Sequence, residues 1–108
     1  MSLAEDLQKV MRGEVEDAPA VLEAAARDAS LFYVRPEVVA HPLDTDDICA
    51  AVTFVNNKKK QSPDSTISLT ARAAGTDMGG GPLTSSIVLD TTRHLNKLIE
   101  LTDTDATV

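Results

Sequence analysis

A short apolar run followed at once by an amphipathic helix pattern is the feature that most limits what this chain can fold into. Residues Val38–Ala40 are apolar and largely β-branched, and Pro42 closes the run, which is typical of a buried strand rather than a helix. Asp44 can cap the helix that follows, and Asp47 lies near the positive end of its dipole. The apolar residues of this helix repeat at helical spacing and predict its buried face: Ile48, Ala51, Val52 and Val55.

Two further β-prone runs follow the helix. Thr66–Ala71 alternates in polarity, and Ser86–Asp90 is an apolar run that ends in an acidic residue. Strand, helix, strand, loop and strand in this order predict a βαβ unit with a parallel sheet and a right-handed crossover. The stretch "NKLIELTD" predicts the start of a fourth strand.

The first thirty residues predict helices instead of strands. The apolar residues Leu3, Leu7, Val10 and Met11 fall on one face of a helix. A second helix is predicted to begin near Asp17, with Pro19 in its first turn. Its expected buried stripe is Val21, Leu22, Ala25 and Ala26. We therefore divide the chain into an N-terminal helical segment, residues 1–30, and a second unit, residues 31–108.

Composition excludes several classes of protein. The chain has 108 residues with 43% hydrophobic content, which suffices for one small core. A net charge of −7 argues against a general nucleic-acid or anionic-membrane binder, because those depend on basic surface. The single cysteine, Cys49, forms no internal disulfide and has no metal-ligand spacing around it. Neither a membrane span nor a signal-peptide core is present in the sequence, which predicts a cytoplasmic protein.

The glycine loop, residues 72–81, separates the two later strands. Its four glycines let the backbone adopt positive φ and come close to a ligand, so that successive N–H groups can surround a diphosphate. A merely mobile connection explains the glycines equally well. Neither the P-loop signature nor the GxGxxG fingerprint of dinucleotide-binding folds occurs here. Spacing alone leaves both alternatives open.

Two longer stretches carry a resemblance to a known family: "RPEVVAHPLDTDDICAAVTFVNNKK" and "TARAAGTDMGGGPLTSSIVLDTTRHLNKLIEL". They resemble the start of the flavin-binding domain of FAD-linked oxidases of the p-cresol methylhydroxylase and vanillyl-alcohol oxidase type, particularly its D-lactate dehydrogenase and glycolate oxidase branch. The likeness spans roughly residues 29–108. The positions that match the family pattern are Pro36, Val39 and Pro42; Asp46 and Asp47; Arg72 to Thr76; Val88 and Asp90; and Asn96 to Leu98.

The resemblance implies an α+β fold, with N-terminal helices followed by a small, mainly parallel β-α-β-β sheet. It also implies that the glycine loop holds the pyrophosphate of FAD. The cofactor-binding residues carried over by position are Arg72, Ala73, Ala74, Gly75, Thr76, Asp77, Met78, Gly80 and Pro42. The chain departs from the pattern at Ala73 and Ala74, where glycine is usual. Thr76 stands where some relatives attach flavin through a histidine, so we expect non-covalent FAD.

The resemblance further implies a parent enzyme that oxidises a 2-hydroxy acid or a similar alcohol. The family's flavin domain has a second half and is followed by a substrate domain. We therefore expect this chain to be an incomplete first subdomain, inactive alone, whose partners are FAD and those further parts. The alternative is a stand-alone, non-catalytic α/β binding module derived from the same fold. No catalytic residue or metal ligand is assigned, and His41, His94 and Cys49 are interpreted as structural or surface residues.

Overall fold

A four-stranded sheet organises the chain in the computed structural model, which describes residues 2–108. Helices flank this sheet, and a small two-stranded hairpin follows it near the C-terminus. In chain order the elements are α1 (Leu3–Gln8), β1 (Val15–Glu16), α2 (Pro19–Ala24), β2 (Val38–Ala40), α3 (Thr45–Gln61), β3 (Leu69–Arg72), β4 (Ile87–Asp90), β5 (Glu100–Leu101) and β6 (Ala106–Thr107).

The strands of the sheet lie in the order β1-β2-β4-β3. Strands β2 and β3 both run parallel to β4, with Val38 and Leu69 on either side of Ile87, and β1 pairs antiparallel with β2. This mixed α/β architecture with a mainly parallel sheet confirms the predicted fold class. Strand β4 lies between β2 and β3, so α3 connects two strands that are not neighbours.

Two parts of the strand assignment differ from the sequence-based expectation. Strand β1 was not predicted, because a pair of residues, Val15–Glu16, is too short to show a periodic pattern. Its residues pair with Val39 and Ala40 and extend the sheet at one edge. The expected fourth strand exists as Glu100–Leu101, but it pairs with β6 in a separate exposed hairpin. This hairpin is therefore separate from the four-stranded sheet.

Both faces of the sheet are covered by helices. Because side chains alternate along a strand, Val38 and Ala40 face one layer and Val39 faces the other. The first layer combines α1 and α3 with the sheet and contains the buried residues Leu7, Met11, Ala51, Val55, Val38, Ala40, Ile87 and Leu89. The second layer packs α2 on the opposite face and contains Leu22, Ala25, Val39 and Val88.

The N-terminal segment contributes to the core of the sheet. Leu7 is fully buried in the same cluster as Val38, and its neighbour Met11 is 4% exposed. Val10 and Val52, which were expected on buried faces, are 45% and 44% exposed. Helix α1 ends at Gln8, so helical periodicity does not determine the direction of the Val10 side chain. The division at residue 30 stays a prediction.

Helix α3 begins and ends as its sequence indicates. The side chain of Asp44 accepts a hydrogen bond from the Asp47 amide at 3.1 Å, which is an N-cap. Lys58–Lys60 occupy the last turn, where positive charge complements the helix dipole. Among residues 2–108 no helix is both long and apolar enough to cross a membrane.

Candidate functional site

The glycine loop leaves the carboxyl end of β3, at one edge of the sheet. Because β2, β3 and β4 are parallel, their carboxyl ends meet at this edge, and it is where open α/β sheets bind ligands. Arg72 ends β3 and Asp90 ends β4, while His41 and the buried Pro42 follow β2 directly. The fold thus brings Pro42, predicted from sequence as a cofactor neighbour, to the same edge as the loop.

The backbone N–H groups of the loop are available to a ligand. Within the part of the chain that the structure describes, the amides of residues 73–79 donate no hydrogen bond. Gly75 and Gly80 have φ values of +70° and +83°, which residues with a side chain rarely adopt. Successive free amides around such glycines are the arrangement that binds anions in phosphate sites.

The two alanines that replace the usual glycines are accommodated without backbone strain. No non-glycine residue among those described has a positive φ, so Ala73 and Ala74 adopt ordinary conformations. Both residues are exposed, as is Thr76. Their methyl groups therefore leave the loop backbone in the shape that the glycines allow.

Arg72 is directed away from the loop tip and towards helix α2. Its Nη2 donates to the carbonyl oxygen of Arg27 at 2.7 Å, and its Nη1 donates to that of Ala25 at 3.3 Å. A Cβ on Gly75 would lie 2.6 Å from Arg72 Cζ, so the loop backbone runs directly over the guanidinium. Sequence reasoning placed Arg72 at the site but missed these partners, which lie more than forty positions earlier in the chain.

The rest of the loop docks on the support segment, residues 25–32. The Ala29 amide donates to the carbonyl oxygen of Asp77 at 2.8 Å. A Cβ on Gly80 would lie 3.0 Å from Cδ2 of Phe32, so the ring packs against that glycine. Met78, at the loop tip, is 85% exposed.

A buried histidine completes the carboxyl edge. His41 is 4% exposed, and its Nε2 lies 2.7 Å from Oε2 of Glu16 on β1. Its Nδ1 lies 3.9 Å from Oδ2 of Asp90 and makes no hydrogen bond within residues 2–108. Arg93 reaches the same Glu16 oxygen at 3.5 Å. The sequence did not reveal this cluster, because the cluster depends on β1, which was not predicted. Cys49 is exposed and lies outside the cluster.

A cavity of about 360 Å³ lies beside this cluster, between α2 and the strand ends. Its polar wall includes His41, Asp90 and Arg72, and its apolar wall includes Val21 and Val39. In the described part of the chain, no group of histidine, cysteine or acidic residues is arranged to hold a metal ion.

Comparison with known proteins identifies the family. A model of the FAD binding domain matches residues 36–108, which include the glycine loop and Pro42. D-2-hydroxyglutarate dehydrogenase from Pseudomonas putida is 32% identical over 90 residues, which is 83% of this chain and 8% of that protein. The enzymes of the same name from Haemophilus influenzae and Escherichia coli are 29% and 28% identical over 98 and 74 residues.

The chain spans less than a tenth of the length of these relatives, at 8%, 9% and 7% for the three proteins. The family match itself begins at Pro36 and leaves out α1, β1, α2 and the whole support segment. FAD is the cofactor of the matched domain. The chain therefore belongs to the FAD-binding domain family of the FAD-linked oxidases.

Proposed function

We propose that this chain holds the diphosphate of FAD with the backbone amides of residues 73–79, as the first subdomain of an FAD-dependent oxidoreductase. The single observation that carries this proposal is the run of amides that donate no hydrogen bond within residues 2–108, beside two glycines with positive φ. A chain with a net charge of −7 needs local donors of this kind to hold an anion, since its overall field repels one.

The proposed cofactor-binding residues divide by what each offers. The amides of residues 73–79 bind phosphate oxygens, and the Thr76 hydroxyl adds a further donor. Gly75 and Gly80 shape the turn, and Pro42 contacts the cofactor from the end of β2. Arg72 adds positive charge beneath the loop, although two of its N–H groups are engaged by carbonyls. Because Thr76 has no ring nitrogen, FAD is bound without a covalent link.

The parent reaction is the oxidation of a 2-hydroxy acid. The relatives are named for D-2-hydroxyglutarate, and the chain matches only a small part of each. When bound, FAD supplies the acceptor for the hydride equivalent that leaves the alcohol carbon. The residues of this chain bind and orient the dinucleotide, and groups that contact the substrate belong to the further parts of the enzyme. Residues 31–108 form the first subdomain in this arrangement.

Binding measurements with the two halves of the cofactor test the proposal. FAD, ADP and riboflavin are titrated separately against the chain by calorimetry at low salt. If the loop amides hold the diphosphate, ADP binds with nearly the affinity of FAD, and riboflavin does not bind. The affinity itself is expected to be weak, because one wall of a cleft buries little of the ligand.

Two results would contradict the proposal. Riboflavin binding as tightly as FAD would move the site away from the diphosphate. No heat with either FAD or ADP at millimolar concentration, from a chain shown to be folded by circular dichroism, would remove the loop as a site.

A further inference from the structure

We propose that the support segment, residues 25–32, holds the glycine loop in its binding shape, and that Arg72 is a positioning residue that acts through this segment. The inference rests on the proposed function of the loop. The whole support segment precedes Pro36, where the match to the FAD binding domain begins. Affinity for the cofactor would then depend on residues outside the matched domain.

The Arg72 guanidinium is the first of three attachments. It donates to the carbonyl oxygens of Ala25 and Arg27, which follow the last turn of α2. Ala25 is the C-cap of α2, where carbonyl groups lack intrahelical partners and carry partial negative charge, so a cation is favourable there. The bond from the charged Nη2 to Arg27, at 2.7 Å, is short for an N–H donor. These contacts fix the start of the loop.

Gly75 makes this attachment possible. A Cβ at that position would lie 3.0 Å from Arg72 Nε and 2.6 Å from Cζ, in the space that the guanidinium occupies. The positive φ of Gly75, +70°, also disfavours any side chain. Gly79 differs, because a Cβ there meets no atom of the described residues within 4 Å. The requirement for glycine at position 75 therefore comes from Arg72 as well as from a ligand.

The second and third attachments hold the far side of the loop. The Ala29 amide donates to the carbonyl oxygen of Asp77 at 2.8 Å. The Phe32 ring lies against Gly80, whose added Cβ would be 3.0 Å from Cδ2. Within residues 2–108, both contacts leave the amides of residues 73–79 without a hydrogen-bond acceptor. The loop is thus held by the Asp77 carbonyl group and by packing at Gly80, while the N–H groups of residues 73–79 stay available.

The support segment is itself fixed to the core. Ala25 is buried in the layer beneath α2, and the Val34 amide donates to the carbonyl oxygen of Ala26 at 3.0 Å. The Ser30 amide donates to Oδ1 of Asp28 at 2.8 Å. The Arg27 guanidinium lies 4.8 Å from the centre of the Tyr33 ring. A segment with this many internal contacts can hold a flexible neighbour in place.

The benefit to binding is entropic. A free glycine-rich loop has many conformations, and a ligand must select the few in which the amides converge. Contacts that select those conformations before binding reduce this cost and raise affinity without touching the ligand. The support segment would therefore change the affinity for FAD and ADP through the order of the loop alone.

Two variants separate positioning from direct contact. Phe32→Ala removes the ring from Gly80 without changing charge, and Leu31→Ala is the matched control because Leu31 is 99% exposed. Arg72→Met removes the guanidinium and keeps an unbranched side chain, while Arg72→Lys restores the charge without the paired donors. Phe32 is 57% exposed, so its loss leaves the core intact.

The order of residues 73–80 is measured by ¹⁵N relaxation without any ligand, and ADP affinity by calorimetry. In Phe32→Ala and Arg72→Met, order parameters in the loop should fall from about 0.85 to below about 0.6, while the sheet is unchanged. ADP affinity should fall about five- to tenfold in both, because the loop must then be ordered on binding. Leu31→Ala should change neither quantity, and Arg72→Lys should leave the loop disordered.

Unchanged loop order in both Phe32→Ala and Arg72→Met would overturn the inference. So would full recovery of ADP affinity in Arg72→Lys, since charge alone would then be sufficient. Because loop order is measured without a ligand, the effect of the variants on loop order is independent of the proposed function. If the wild-type loop is ordered, loses that order in both variants and binds no ADP, the FAD site is refuted while the role of the support segment stands.

Discussion

The buried carboxylate of Asp47 lies against Gly13, whose backbone N–H donates to Asp47 Oδ2 at 2.9 Å. The amides of Arg12 and Leu43 donate to the same carboxylate, also at 2.9 Å. Asp47 belongs to the first turn of α3, and Gly13 precedes β1. One side chain therefore joins the N-terminal segment, the end of the β2 connection and the longest helix.

Replacing Asp47 by asparagine should destabilise the protein. An amide group has a single acceptor oxygen, so at least one of the three N–H donors would lose its partner in a buried site. We expect the free energy of unfolding to fall by about 2–3 kcal/mol. Urea denaturation followed by circular dichroism measures this loss. Asp46→Asn is the control, since Asp46 is exposed in the same turn, and should cost about 0.5 kcal/mol.

Stability should decline in acid through the same carboxylate. Burial raises the pKa of Asp47. Hydrogen bonds from the backbone N–H groups of Arg12, Leu43 and Gly13 lower the pKa by more than burial raises it, so it lies below its ordinary value of 3.8. A folded-state pKa below the unfolded one means that the stabilisation is complete above about pH 4 and is lost as pH falls through the folded pKa.

Denaturation series from about pH 6 to pH 2 measure this dependence. Asp47→Asn should have a shallower decline than the wild type, because it no longer titrates at this position. The Arg12 side chain also lowers the pKa of Asp44, so part of the decline should remain in the variant. Identical slopes for the two proteins would exclude Asp47 as a source of acid sensitivity.

Truncation of Leu7 tests whether α1 shares the core of the sheet. Leu7 has no exposed surface and lies in the cluster that contains Val38 and Ile87. Leu7→Ala should reduce the free energy of unfolding by about 3 kcal/mol in a single cooperative transition. Leu31→Ala, at a position that is 99% exposed, should change it by less than about 0.5 kcal/mol. A separate early transition in the Leu7 variant would show that the first thirty residues fold independently.

The sequence predicted the parts of the fold that have a clear local pattern. Val38–Ala40 and the helix that follows were recognised because the strand is a short continuous apolar run, whereas the helix has apolar residues at helical spacing. The parallel arrangement followed from the alternation of strands and helix. The position of β4 between its partners was not accessible, because strand order depends on long-range packing. Strand β1 was missed because two residues, Val15–Glu16, are too few to show an alternating hydrophobic pattern.

The site was predictable only in part for a similar reason. Glycines and the family pattern predict residues 72–80 as the site, because local backbone freedom is visible in the sequence. The partners of Arg72 and the neighbours of His41 were not visible, since each lies on another element. Asp47 was understood as a helix-end carboxylate, while its three distant amide donors depend on the folded chain.

A negative charge introduced in the loop should weaken cofactor binding. Ala74 is exposed and lies within the run of unbonded amides, so Ala74→Glu would place a carboxylate near the proposed diphosphate. We expect the dissociation constant for ADP to rise about tenfold at low salt, and the loss to shrink at high ionic strength. Thr66→Glu is the matched control, because Thr66 is exposed and precedes the amino end of β3, away from the glycine loop. Equal losses in both variants would indicate a general charge effect.

The most direct measurement of the central claim is a ¹H–¹⁵N correlation spectrum of the chain recorded during titration with ADP. If the loop amides hold the diphosphate, the largest and earliest shifts fall on residues 73–79, and riboflavin at the same concentration leaves them in place. Saturable shifts that fall elsewhere, with the amides of 73–79 unchanged, would contradict the account.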